Sequence, residues 1–132
     1  MSESNIPSEL RYTRSHEWVR GLANGLVEVG ITDYAQGELG DLVFVKVPQP
    51  ERRVSADEAC AVVESVKAAS DVHSPVAGRI VAANAELAQQ PVLVNDDPYG
   101  EGWLMRVEVD PAAGAPALLT AVEYAQFLAA AK

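Results

Sequence analysis

The stretch Ala61-Val62-Val63-Glu64-Ser65-Val66-Lys67-Ala68-Ala69-Ser70-Asp71-Val72-His73-Ser74-Pro75-Val76-Ala77-Gly78 decides how this chain is read. Runs rich in Val and Ala flank Lys67, and β-branched residues suit a pleated, half-buried surface. The stretch closes in the turn formers Pro75 and Gly78. The pattern predicts two short strands meeting at a tight bend with one lysine near the tip. The remaining lysines are Lys46 and Lys132; every other basic residue is Arg. Small neighbours (Ser65, Ala68, Ala69) leave the amine open to an enzyme that modifies it. Its own reactivity is low, because a free lysine with a pKa of ~10.4 is protonated at neutral pH. The nearby carboxylates Glu64 and Asp71 favour the ammonium form, which argues against Schiff-base catalysis. Acylation by an external ligase asks only for rigid presentation.

Working outward, Leu10-Arg11-Tyr12-Thr13 and Glu17-Trp18-Val19-Arg20 read as half-buried strands joined through Ser15-His16. Asn24-Gly25 is a two-residue hairpin signal, since both residues tolerate positive φ. It leads into the strand Leu26 to Ile31. Thr32 to Gly40 reads as one or two helical turns, with Thr32 or Asp33 as N-cap, Gln36 at capping-box spacing from Asp33, and Gly40 as terminator. Asp41 to Val47 is a strand stopped by Pro48 and Pro50. Beyond the lysine hairpin, Gly78 to Ala83 is a strand and Asn84 caps a short helix over Ala85 to Gln89. Val92-Leu93-Val94 is a brief apolar run, Asn95 to Gly102 a turn-rich loop, and Trp103 to Val109 the last strand. Thr120-Ala121-Val122-Glu123 is a capping box that opens a terminal helix. Trp18 and Trp103 are expected to anchor the core, and His16 to be a hydrogen-bonding strand-end residue.

Short strands, frequent turns and few helices predict a mainly β fold, a flattened barrel or sandwich with a C-terminal helix. The 132 residues suffice for one domain without metals or disulfides. Residues 1–9 are expected to be a flexible N-terminus and 117–131 the terminal helix. A net charge of −9 argues against nucleic acid, which requires a basic face, and favours partners with basic surfaces. Cys60 is the single cysteine, so no intrachain disulfide forms; in its apolar run it reads as a buried thiol. His16, His73 and Cys60 lack ligand spacing, and no metal site is expected. No apolar run approaches the ~20 residues that span a bilayer. Residues 1–9 show no apolar or Arg-rich leader, so a cytoplasmic location is expected, or a mitochondrial one with the leader removed. A monomer is the default expectation.

Glu64-Ser65-Val66-Lys67-Ala68-Ala69-Ser70-Asp71, with Ser74-Pro75-Val76-Ala77-Gly78, closely resembles the lipoyl-attachment segment of the glycine cleavage system H proteins. The resemblance covers nearly the whole chain, in order. It includes Leu10-Arg11-Tyr12-Thr13, His16-Glu17-Trp18-Val19, Gly30-Ile31-Thr32-Asp33-Tyr34-Ala35-Gln36 and Leu39-Gly40-Asp41-Leu42-Val43-Phe44-Val45. It continues through Asn95, Pro98-Tyr99-Gly100-Glu101-Gly102-Trp103 and Glu123-Tyr124. Two positions depart. Glu51 stands where a glycine is common, and His73 replaces the usual aromatic or polar residue.

The resemblance implies the barrel-sandwich fold of lipoyl and biotinyl carriers and a carrier without an active site of its own. Lys67 would bear lipoate as an amide, in a hairpin context of Glu64, Ser65, Val66, Ala68 and Gly78. The arm would take the aminomethyl group of glycine from pyridoxal-phosphate-dependent glycine decarboxylase to aminomethyltransferase. Electrons would then pass to dihydrolipoamide dehydrogenase, and a lipoyl or octanoyl ligase or transferase would load the lysine. The loaded arm ends in an amine, so a carboxylate-lined cleft is expected, with Ser15, Glu17 and Asp71 as candidates. Biotin carriers, which set methionines beside the lysine, fit Val66 and Ala68 less well. A lipoyl domain of a 2-oxoacid dehydrogenase would lack the His16-Glu17-Trp18 opening. A lipoyl donor in protein lipoylation would use the same Lys67 and stays open.

Overall fold

The computed structural model describes residues 5–113 and 117–130. Two antiparallel sheets face each other. The larger holds β1 (Arg11–Tyr12), β2 (Glu17–Gly21), β3 (Leu26–Ile31), β9 (Met105–Val109), β8 (Gly78–Ala83) and β5 (Arg53–Val54), in that order. The smaller holds β4 (Leu42–Lys46), β6 (Ala59–Ser65) and β7 (Ala69–His73). The result is a flattened barrel-sandwich rather than a closed barrel. One buried cluster (Ile31, Leu42, Val45, Ala61, Val63, Val72, Leu87, Val94 and Leu104) contains inward residues of both sheets. A second joins Val29, Ile80, Met105 and Val107 to Cys60, whose Sγ lies 3.6 Å from Met105 Sδ. Burial pushes the Cys60 thiol up to about 11, which suits an inert structural thiol.

Local signals account for most of the elements. Asn24 and Gly25 both have positive φ, at 63° and 75°, and join β2 to β3. In α1 (Asp33–Leu39) the cap is Thr32, whose Oγ1 accepts from the Ala35 amide at 3.2 Å, while Gln36 donates to Asp33 Oδ1 at 2.7 Å. Gly40, with φ 81°, ends the helix. Asn84 caps the 3₁₀ turn Ala85–Ala88. The box before α3 (Ala121–Ala130) is reciprocal: Glu123 N donates to Thr120 Oγ1 at 3.2 Å, and Thr120 N donates to Glu123 Oε1 at 2.9 Å. Residues 117–120 precede this helix. Leu119 instead bridges to Tyr12 as a strand-like pair, which holds that segment extended.

The structure sharpens several readings. The apolar run at Val92 opens a helical turn, α2 (Leu93–Asp96), because Pro91 supplies a carbonyl for the Val94 amide. Trp18 is fully buried with its Nε1–H on the Pro98 carbonyl at 2.8 Å, but Trp103 is half-buried and lies beneath the Arg106 guanidinium at 4.1 Å. Of the expected flexible residues 1–9, 1–4 lie outside the described residues. Asn5 donates to Asp33 Oδ2 at 2.8 Å and accepts from Tyr99 at 2.5 Å, and the Pro7 carbonyl accepts from Tyr12. Glu51 adopts φ 73°, a left-handed conformation that favours glycine. Gly78 belongs to β8 in the larger sheet, away from the lysine hairpin. A Cβ there would stand 2.1 Å from the Glu108 carbonyl oxygen.

Candidate functional site

The β6–β7 hairpin carries the lysine on a four-residue turn. Ser65 N donates to the Ala68 carbonyl at 2.8 Å, and Ser65 Oγ accepts from the amides of Lys67 and Ala68 at 3.3 and 3.2 Å. Serine thus performs the turn locally, without help from the core. Val66 is 90% exposed and Lys67 is exposed beside it. Register pairs Glu64 with Ala69 and Val63 with Ser70, so the strands on either side hold the tip rigidly.

A cleft of about 270 Å³ lies between the hairpin and α1. Ser15, Glu17 and Asp71 all line it, so the structure brings the three candidates together. Both of its walls run out toward Lys67. Ser70 and Asp71 follow it on β7, while Glu38 and Leu39 precede Gly40 at the end of α1, where a Cβ would stand 3.8 Å from Lys67 Cε. Asn95 fixes that wall: it accepts from the Leu42 amide and donates to Gln36 Oε1 and the Gly40 carbonyl, each at 2.9 Å.

Glu17 is the best-held of the three, at 1% side-chain exposure. Its Oε1 accepts from Thr13 Oγ1 and Ser15 Oγ, both at 2.6 Å, and its Oε2 accepts from the His73 amide at 3.1 Å. Burial raises its carboxyl above the ordinary value, against the opposing pull of the Ser15 and Thr13 hydrogen bonds. Asp71 is exposed on the edge strand. His16, at φ 71°, turns the chain between β1 and β2, and its Nδ1 meets the Tyr124 hydroxyl at 2.8 Å. Burial lowers the His16 pKa, so at neutral pH it brings no charge to the cleft.

Thr13, Tyr34, Glu38 and Ser70 escaped sequence reasoning. For Thr13 a signal was present, because Thr13, Ser15 and Glu17 alternate and bracket a turn residue. For Tyr34 and Glu38 only the packing of α1 across the sheets shows the role. Among the described residues the charged lining is Glu17, Glu38 and Asp71, with neither lysine nor arginine on it. The arrangement is that of a presenting protein: an accessible lysine at the rim of an acidic cleft.

A sequence model of the family "Glycine cleavage H-protein" matches residues 10–131. The glycine cleavage system H protein of Halorhodospira halophila is 52% identical over 126 residues, covering 96% of this chain and 97% of that one. That of Aeromonas salmonicida is 56% identical over 121 residues, covering 92% and 94%. A crystal structure of a glycine cleavage system H protein from Mycobacterium marinum superposes with a TM-score of 0.86 at 42% identity, covering 94% of this chain and 99% of that one. The chain belongs to the glycine cleavage H-protein family, the lipoyl carriers of the glycine cleavage system.

Proposed function

We propose that Lys67 carries lipoate in amide linkage and that the acidic cleft beside it shelters the end of the arm. The observation that supports this most is the placement of an exposed hairpin lysine at the rim of a cleft whose charged residues are all acidic. The residues fit such a group. The tip is open to a ligase, and Gly40, at φ 81°, ends α1 beside the lysine stem. Amide formation removes the Lys67 charge. The dithiolane supplies a disulfide that takes up the aminomethyl group of glycine and, once reduced, is reoxidised by thiol–disulfide exchange. Within the cleft, Glu17 and Asp71 attract a cationic arm end, and the Thr13 and Ser15 hydroxyls keep the Glu17 carboxylate in one orientation.

The protein serves as a carrier and not as a catalyst. It visits pyridoxal-phosphate-dependent glycine decarboxylase, aminomethyltransferase and dihydrolipoamide dehydrogenase in turn, after loading by a lipoyl or octanoyl ligase or transferase. Its acidic surface favours partners with basic faces. Among the described residues no helix is long and apolar enough to cross a membrane, and the reading includes a cytoplasmic location. The test is retention of the one-carbon group by the lipoylated chain. Glu17→Gln with Asp71→Asn is expected to lose it about tenfold faster than wild type, from the loss of charge pairing. Equal rates would overturn the sheltering role.

A further inference from the structure

Among the described residues, His73 Nδ1 is a buried side-chain nitrogen without a hydrogen-bond partner. A buried polar atom left unpaired is costly and calls for a reason. It faces Glu17 Oε2 at 3.7 Å, just beyond hydrogen-bond distance. The same residue's backbone amide already donates to that oxygen at 3.1 Å, so strand β7 fixes the ring beside the carboxylate. A small rotation of χ2, a soft torsion in histidine, closes the gap.

We propose that His73 carries a proton that competes with a cationic group for Glu17, so that one proton leaves the Glu17–His73 pair when the cleft takes up such a group. This rests on the reading that the cleft receives the cationic end of the arm.

The pair can hold one proton in two ways, on Oε2 facing the Nδ1 lone pair or on Nδ1 facing the carboxylate. An ammonium entering the cleft needs the same oxygen. When it pairs with Oε2, the proton departs to water from the half-exposed ring, and only an N–H or O–H bond breaks. Among the described residues neither lysine nor arginine lines the cleft. Lys67 at its rim loses its charge on amide formation. Arg52, which reaches the Ala59 carbonyl across from His73, is paired with Glu58 at 2.7 Å. His16 is held neutral by burial, the Cys60 and Tyr124 groups are pushed toward their uncharged forms, and Glu38 and Asp71 add negative charge at the mouth. Arg14, in the same loop as Ser15, points over the Phe127 ring at 5.9 Å. A tethered imidazolium therefore weakens the cleft's hold on a cation as the pH falls.

The pair is tested first without any arm, by following the Glu17 side-chain carboxyl carbon by NMR against pH in the unlipoylated chain. Replacing His73 by Phe removes the neighbouring cation, so Glu17 is expected to bind its proton about threefold or more tightly. His73→Asn, which offers an amide but no titrating proton, is expected to behave like Phe and covers the case in which Phe does not fold. An unchanged Glu17 titration in both variants overturns the proposal. The lipoylated, loaded chain gives the second readout. The ratio of loss rates, wild type over His73→Phe, is expected to rise about threefold between about pH 8 and about pH 6. A ratio that stays flat also overturns it. If Glu17→Gln leaves retention unaltered at every pH, the sheltering role of the cleft fails, while the carboxyl titration still decides the proton-sharing pair.

Discussion

The tip of the lysine hairpin and the floor of the cleft are close in space and are built in opposite ways. At the tip, Lys67 is held by a turn in which Ser65 makes every side-chain bond, and Val66 is 90% exposed. At the floor, Glu17 is 1% exposed and collects donors from Thr13, Ser15 and the distant His73 amide. On the proposed function a ligase and several enzymes reach the tip, which suits a structure that is local and expendable to the core. The floor must keep a carboxylate oriented where water would otherwise compete, so its structure is bound into the core. Substitutions should therefore separate the two: severe for stability at the floor, nearly silent at the tip.

The largest effect is expected at Gly30, beside the floor in β3. A Cβ there would lie 2.7 Å from the indole of Trp18, which is fully buried and tied to Pro98. Gly30→Ala should cost about 3 kcal/mol, since the ring has no room to retreat. Denaturant unfolding reads this directly, and a change below about 1 kcal/mol would show that the floor is softer than its packing indicates. Glu17→Ala comes next. It leaves two hydroxyls and an amide without their acceptor and should cost about 2 kcal/mol. Glu17→Gln keeps an acceptor oxygen and should lose less.

A smaller effect follows from pH. The Glu17 carboxyl is raised in the folded protein, so the folded state holds that proton more tightly than the unfolded chain does. Its contribution to stability is full below the ordinary value of 4.5 and falls away as the pH rises through the folded value. Subtracting the Glu17→Gln stability profile from that of wild type should expose this descent. A difference profile that rises with pH would contradict it. His16 has the reverse sign. Its pKa is lowered by burial, so its contribution is present above 6.5 and lost as the pH falls below it. The smallest effect belongs to the tip, where Ser65→Ala should cost about 0.5 kcal/mol because the turn amides remain open to water.

The same contrast explains what the sequence made legible. The lysine turn, the Asn24-Gly25 hairpin, the Thr32 cap and the Thr120–Glu123 box are each encoded within about four residues, and each appears in the structure. Sequence periodicity does not reveal a site assembled from the loop before β2, helix α1 and strand β7. Ser15, Glu17 and Asp71 came from the family resemblance, and Tyr34 and Glu38 came only from packing. Gly78 opens the strand read over Gly78 to Ala83, but the reason a Cβ is excluded there lies in Glu108, thirty residues away in the sheet. Val92 to Val94 stayed unassigned because three apolar residues in a row fit a strand as well as a buried helical turn.

The most direct test of the central claim is the intact mass of the protein produced with lipoate and a lipoyl ligase, beside Lys67→Arg. Arginine keeps the charge at the tip, so folding should be unaffected within about 0.5 kcal/mol. A single lipoyl increment on the wild type and none on the variant is the predicted result. A lipoyl increment that survives in Lys67→Arg, a biotinyl increment, or no modification of the folded wild type would each contradict the assignment of Lys67 as the lipoyl site.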